Sequence, residues 1–262
     1  MSRWSTALVT GASCGIGESF ARRLAAEGTD LVVVARDLGR LESLAVELRG
    51  AHGVQVEVLN ADLSAPVSRE MVERRLADRS RPIDLLINNA GFGTSGHFAE
   101  LPVAREEQQV QLNVLGVLRL TSAALTPMIE RRRGTIVNVA SVAAFVPAPG
   151  SATYAATKAF VCSFTDSLHD ELAGTGVTAT ASIPGFTRTE FQARSDWTEQ
   201  DNVPERAWLS PDDVARATLD GAARGRARVV PGAGYKALVG AAQMLPGAPK
   251  RWLTGQVRRL AG

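Results

Sequence analysis

The sequence predicts an α/β protein: a doubly wound parallel sheet of about seven strands with helices on both faces. Two observations predict it. Short apolar, β-branched runs alternate with segments of helical period along most of the chain. A glycine-rich turn, Thr10-Gly11-Ala12-Ser13-Cys14-Gly15-Ile16-Gly17, joins the first run to the first helical segment. Strand, glycine turn and helix N-terminus together make an anion site from backbone N–H groups.

The first strand is Ala7–Thr10, and the helix after the glycines runs through Glu27 to Gly28. Leu31–Ala35 is the second strand and ends Ala35-Arg36-Asp37. An acidic residue at such a strand end takes the ribose hydroxyls of NAD. Here alanine holds that place and Arg36 follows, a guanidinium suited to a 2′-phosphate, which favours NADP(H) over NAD(H). A register slip of two would make Asp37 the acid instead, and Arg40 is either a helper of Arg36 or a solvated residue.

Leu38–Gly50 reads as a helix and Gln55–Leu59 as the third strand. Asp62, beside Leu63, then either contacts adenine or caps a helix from about Ala65 to Asp78. Ile83–Ile87 is the fourth strand and leads into Asn88-Asn89-Ala90-Gly91, where two amides can hold loop backbone and touch a ligand. Glu106–Met128 is a long helix carrying Asn113 among apolar residues. That amide is either a satisfied core group or the mark of a bent helix whose freed carbonyl holds water.

Strand Thr135–Val139 ends near Ser141, and Pro147, Pro149 and Gly150 break the chain. A helix then runs from Ser151 to a stop at Gly174. Tyr154 and Lys158 are i,i+4 neighbours on it, with a Phe160, Phe164, Leu168, Leu172 packing stripe on roughly the opposite face. A nearby cation favours phenolate and lowers a tyrosine pKa. Such a tyrosine can protonate a forming alkoxide or deprotonate an alcohol, and Ser141 can donate to the same oxygen. Taken alone, the pair reads equally as a buried tyrosine beside a snorkelling lysine.

Val177–Ile183 is the sixth strand, followed by Pro184-Gly185-Phe186-Thr187-Arg188-Thr189. Residues 191–211 lack periodicity and include Trp197 and Trp208, the composition of a lid. Ser210–Asp213 opens a further helix, Arg228–Val230 is a short last strand, and the tail from Tyr235 is basic and amphipathic. No linker separates two domains, so residues 1–262 are expected to form one unit, with a core over 6–190 and a tail over 235–262.

Composition narrows the function classes. The chain has 262 residues, is 45% hydrophobic and 21% charged, and carries a net charge of +2. That balance gives no reason to expect nucleic acid. The basic clusters Arg131–Arg133, Arg224–Arg228 and Lys250–Arg259 read as solvated surface. No apolar run reaches membrane-spanning length, so only peripheral contact by the tail is open. Met1–Trp4 shows no signal-peptide pattern, so a cytoplasmic location is expected. Cys14 and Cys162 are the only cysteines. No metal spacing links them to His52, His97 and His169.

The whole set resembles the short-chain dehydrogenase/reductase family. The matches are Thr10-Gly11-(x)3-Gly15-x-Gly17, Asp62, Asn88-Asn89-Ala90-Gly91, Asn113, Ser141, Tyr154-x-x-x-Lys158 and Pro184-Gly185, in the family's order. The resemblance implies a Rossmann fold and a hydride transfer between nicotinamide and a carbonyl or secondary alcohol carbon. It implies Tyr154 as acid/base, Ser141 as substrate orienter, Lys158 on the nicotinamide ribose and Asn113 on a relay water. It also implies homodimers or homotetramers built on the two long helices. Expected cofactor contacts are Gly11, Ser13, Cys14, Gly15, Ile16, Gly17, Arg36, Asp62, Leu63, Asn89, Ala90, Gly91, Tyr154, Lys158, Pro184, Gly185, Thr187 and Thr189. Cys14 stands where many NADP-preferring members carry a basic residue, so the preference rests on Arg36. Phe92, Val142, Phe145, Phe186, Phe191 and Trp197 suggest a hydrophobic small-molecule substrate, while Arg188 and Arg194 leave room for an acidic group. The rival readings are a non-catalytic dinucleotide-binding regulator and a membrane-surface protein using the tail.

Overall fold

The computed structural model describes residues 3–195 and 203–244. Its strands are β1 (Thr6–Thr10), β2 (Asp30–Ala35), β3 (Val56–Asn60), β4 (Leu85–Asn88), β5 (Gly134–Val139), β6 (Val177–Ser182) and β7 (Arg228–Val229). All pair in parallel in one sheet of order β3-β2-β1-β4-β5-β6-β7. The helices are α1 (Gly15–Ala26), α2 (Leu38–His52), α3 (Pro66–Ala77), α4 (Val103–Val110), α5 (Val117–Glu130), α6 (Ala152–Glu171), the short α7 (Phe191–Arg194), α8 (Pro211–Ala223) and α9 (Ala233–Met244).

A parallel sheet is buried on both faces, so its strands are apolar on both sides. In β1 the alternation divides the residues between two cores. Ala7 and Val9 pack with Phe20, Leu24, Leu41 and Leu219. Leu8 packs with Val72, Leu120, Ala124 and Met128 on the other face. The strand order reverses between β1 and β4, and Leu8 pairs with Leu86 across that seam. The crevice beyond the carboxyl ends of these strands is where ligands bind in such sheets.

Two boundaries that bear on the site differ from the sequence reading. The fourth strand is Leu85–Asn88 because Ile83 and Asp84 precede the ladder, with the Asp84 amide donating to Thr6 O instead. The sixth helix stops at Glu171, although Gly174 still turns the chain at φ +79°. Its sheet-facing side carries Lys158, Val161, Cys162 and Thr165, all buried. Phe160 and Phe164 are only partly buried and stack on each other, ring centroids 5.7 Å apart. Small residues bring the helix close to the sheet, and the phenylalanines fill the flank.

The long helix is continuous from Val103 to Glu130 but contains a π-helical turn at Gln111–Gly116, around Asn113. By length and composition this stretch would also suffice to cross a membrane, contrary to the expectation that none would. Its Leu120, Ala124 and Met128 are 1% exposed against the sheet, the packing of a core helix.

Candidate active site and cofactor cleft

The glycine turn is built to let something approach closely. Gly11 and Gly15 have φ of +67° and +58°, which disfavour a side chain. A Cβ on Gly17 would lie 2.0 Å from Gly11 O, so helix and turn can touch only with glycine there. The N-cap residue of α1, Cys14, makes no side-chain capping bond, whereas Ser210 caps α8. The first N–H groups of α1 therefore keep no side-chain acceptor, as an anion-binding helix start requires. The cradle fits a dinucleotide pyrophosphate. Asn89 holds its wall in place: its Nδ2 donates to Thr10 O at 2.9 Å and Gly11 O at 3.4 Å. The Thr10 hydroxyl accepts from the amides of Asn89 and Ala90 and donates to Ile87 O, locking β1 to the end of β4. Asn88 instead faces the core, bonded to Thr121 and Asn138.

At the end of β2, Arg36 is exposed, and its guanidinium has no partner among the described residues. Asp37 is the N-cap of α2 and accepts from the Arg40 amide at 3.0 Å. Arg40 pairs with Glu190 at 2.7 Å, so it is neither simply solvated nor turned to Arg36. Asp62 does not cap α3. It holds the Ser64 amide and hydroxyl at 2.9 and 2.6 Å, while Ala65 is the N-cap. Leu63 is buried and its carbonyl accepts from Arg69.

Asn113, 1% exposed, clamps the loop after β4: its Oδ1 accepts from Phe92 N at 3.2 Å, and its Nδ2 donates to Phe92 O at 2.9 Å and Thr157 Oγ1 at 3.2 Å. Gly91 lies between this amide and Lys158. A Cβ there would sit 3.0 Å from Asn113 Oδ1 and 3.5 Å from Lys158 Nζ. The Lys158 ammonium donates to Val139 O at 2.8 Å and lies 5.8 Å from the Tyr154 ring centroid. The Ser141 hydroxyl lies beside the Tyr154 phenol and favours its ionised form. Ser141 is the extended residue after β5, its hydroxyl also accepting from Ala143 N, and the next amide reaches Pro184 O. Asn113, Ser141, Tyr154 and Lys158 thus gather at the carboxyl edge of β4 and β5.

The electrostatics differ from expectation. Burial pushes the Tyr154 phenol up to about 12, and the Ser141 hydroxyl pulls only partly the other way. Burial lowers the Lys158 ammonium to about 8. The lysine does not bring the tyrosine down in this arrangement, because its ammonium is turned to a backbone carbonyl rather than to the phenol.

The segment after β6 covers the site. Phe191 packs on Tyr154, centroids 5.5 Å apart, and both rings press against Gly93. The Thr187 hydroxyl donates to Gly185 O, and Thr189 accepts from Phe191 N. Arg188 is paired with Glu205 and lies over the Trp208 ring, which also meets Phe186. Of the suggested pocket residues, Phe191 touches Tyr154. Phe92 lies under the Arg105 guanidinium and Phe145 under that of Arg228. Trp197 and the middle of the 191–211 lid lie outside the described residues. Two features escaped sequence reasoning, the Thr10 lock and a contact from Tyr235 in α9. The only local signal was Thr10 itself, ahead of Gly11.

The model of the short chain dehydrogenase family matches residues 5–200. The chain belongs to that family. It is 37% identical to an uncharacterized oxidoreductase of Myxococcus xanthus over 86% of this chain and 87% of the relative. A short-chain dehydrogenase from Sphingobium yanoikuyae in complex with NADPH superposes with a TM-score of 0.83 at 40% identity, over 91% of this chain and 93% of that one. The bulky-bulky ketone specific alcohol dehydrogenase from Comamonas testosteroni gives 0.78 at 34%, over 93% and 96%. The chain is therefore an NAD(P)-dependent oxidoreductase, and the NADPH complex agrees with the NADP(H) expectation.

Proposed function

We propose that the protein is an NADP(H)-dependent reductase or dehydrogenase acting on a hydrophobic ketone, aldehyde or secondary alcohol. The carrying observation is Tyr154 beside Ser141, with the buried Lys158 ammonium one turn away and 5.8 Å from the phenol ring centroid, at the same sheet edge as the glycine cradle. Residues Gly11 to Gly17 would hold the pyrophosphate, Arg36 the 2′-phosphate, Asp62 and Leu63 the adenine, and Asn89 to Gly91 with Pro184 to Thr189 the nicotinamide half. When bound, NADP(H) supplies or accepts the hydride.

In the reductive direction Tyr154 donates its proton to the substrate oxygen as that oxygen becomes an alkoxide. A phenol near 12 is fully protonated at neutral pH, so it stands ready as the acid. Ser141 donates to the same oxygen and orients the carbonyl. Lys158 holds the nicotinamide ribose, and Asn113 keeps the π-turn open for the water that returns the proton. Phe191 packs on the phenol ring and narrows solvent access to it. The Phe191 ring beside the phenol and the Comamonas neighbour support a bulky hydrophobic carbonyl. Val110 and Leu118 are 38% and 37% exposed on the long helix, apolar surface suited to a second copy in a homodimer or homotetramer. In the described part of the tail, Val239 and Ala242 of α9 pack into the protein and are buried. Its residues beyond 244 lie outside the described set.

Incubation with a panel of aryl and alicyclic ketones and aldehydes, followed by NADPH absorbance, tests the reading. Consumption with at least one bulky member is expected. No consumption with any member, with no NADPH binding by fluorescence, overturns it.

A further inference from the structure

Tyr235 opens the C-terminal helix, fifty positions after Gly185 in sequence, yet its ring lies flat on Gly185. A Cβ added to that glycine would meet the ring carbons at 2.1 to 2.3 Å. The Tyr235 hydroxyl donates to Ala207 O at 2.7 Å and accepts from Phe186 N at 3.1 Å. It therefore ties together two segments that also pair directly. The Leu209 amide donates to Phe186 O at 2.8 Å, the Arg188 amide to Leu209 O at 3.0 Å, and Thr187 bridges Leu209. This clasp carries Thr187 and leads through Thr189 into Phe191 on the Tyr154 ring.

We propose that Tyr235 is a positioning residue: it pins the clasp of residues 186–188 and 207–209 so that the cofactor loop and the Phe191 cover keep their places. The inference rests on the reading of Thr187 and Thr189 as cofactor contacts. It also assigns a reason for glycine at 185, room for an aromatic ring. The physical basis is connectivity. One hydroxyl satisfies a donor and an acceptor on different strands of the clasp, so deleting it unpairs both at once. Because α9 is anchored independently by Val239 and Ala242, both 5% exposed, the ring has a fixed base from which to act.

The experiment compares wild type, Tyr235→Phe and Val239→Ala. Amide exchange at Phe186, Arg188 and Leu209 is followed in the free protein, and NADPH affinity by fluorescence titration. Tyr235→Phe should speed exchange at these amides and weaken NADPH by about three- to tenfold, the size of a lost hydrogen bond. Val239→Ala should lower the melting temperature without either effect. Unchanged exchange and affinity in Tyr235→Phe, or equal changes in Val239→Ala, overturns the proposal. Gly185→Ala adds a separate check: it should loosen the clasp in wild type and do nothing further in the Tyr235→Ala background. Additive effects contradict a shared contact. If wild type does not bind NADPH, the cofactor reading fails, while the exchange data still decide the role of Tyr235.

Discussion

Asn113→Ala should unfold the protein more easily as well as slow it. The wild-type amide is 1% exposed and makes three hydrogen bonds, two to the backbone of Phe92 and one to Thr157. Alanine leaves Phe92 N and O without that clamp in a loop pressed against Gly91. Each bond contributes roughly 1 kcal/mol net, so the substitution should cost on the order of 3 kcal/mol. In a protein of this size each kcal/mol moves the melting temperature by about 2–4 °C, so a fall of about 6–12 °C is expected. Differential scanning calorimetry with NADPH omitted measures it directly. Tyr154→Phe, which removes a hydroxyl but leaves the backbone pairing intact, should melt within about 3 °C of wild type. A drop of less than about 2 °C in Asn113→Ala would refute the clamp and leave Asn113 only a role in the reaction.

Two further outcomes follow from charges. Lys158 falls from an ordinary 10.5 to about 8 in the fold, so the unfolded chain binds more protons between those values and stability should rise across that window. Tyr154, raised from 10.0 to about 12, gives stability that is present below 10 and lost above it, so the rise should turn over near pH 10. Urea midpoints at pH 7.5 and 9.5 should therefore increase in wild type relative to Lys158→Met, and an equal response in both proteins contradicts the buried ammonium. Arg36→Ala should weaken NADPH by about one to two decades and leave NADH nearly unchanged, since a charge-assisted bond to phosphate contributes about 1.5–3 kcal/mol. Equal loss of both cofactors in titrations would remove Arg36 as the selector.

The strands were legible because burial on two faces writes itself as an apolar run, as in Leu31–Ala35, all but the last residue of which are buried. The glycine cradle was legible for the same kind of reason: any Cβ at Gly17 would lie 2.0 Å from Gly11 O in its own turn. What could not be read was pairing between distant side chains. The Lys158 ammonium chose a carbonyl on β5, Arg40 chose Glu190, and Asp62 chose Ser64 two residues on. The buried face of α6 was legible only in part: Leu168 and Leu172 of the expected stripe are core, but small residues such as Cys162 and Thr165 pack closest to the sheet while Phe160 and Phe164 stay partly buried. Tyr235 left no local trace at all, since its ring answers a missing side chain at Gly185.

The most direct test of the account is single-turnover oxidation of NADPH by Tyr154→Phe, using a carbonyl that wild type reduces. Tyr154→Phe should react at least about a hundredfold more slowly than wild type, the usual contribution of a positioned acid, with NADPH affinity within about twofold. A mutant that keeps more than about a tenth of the wild-type rate would contradict it.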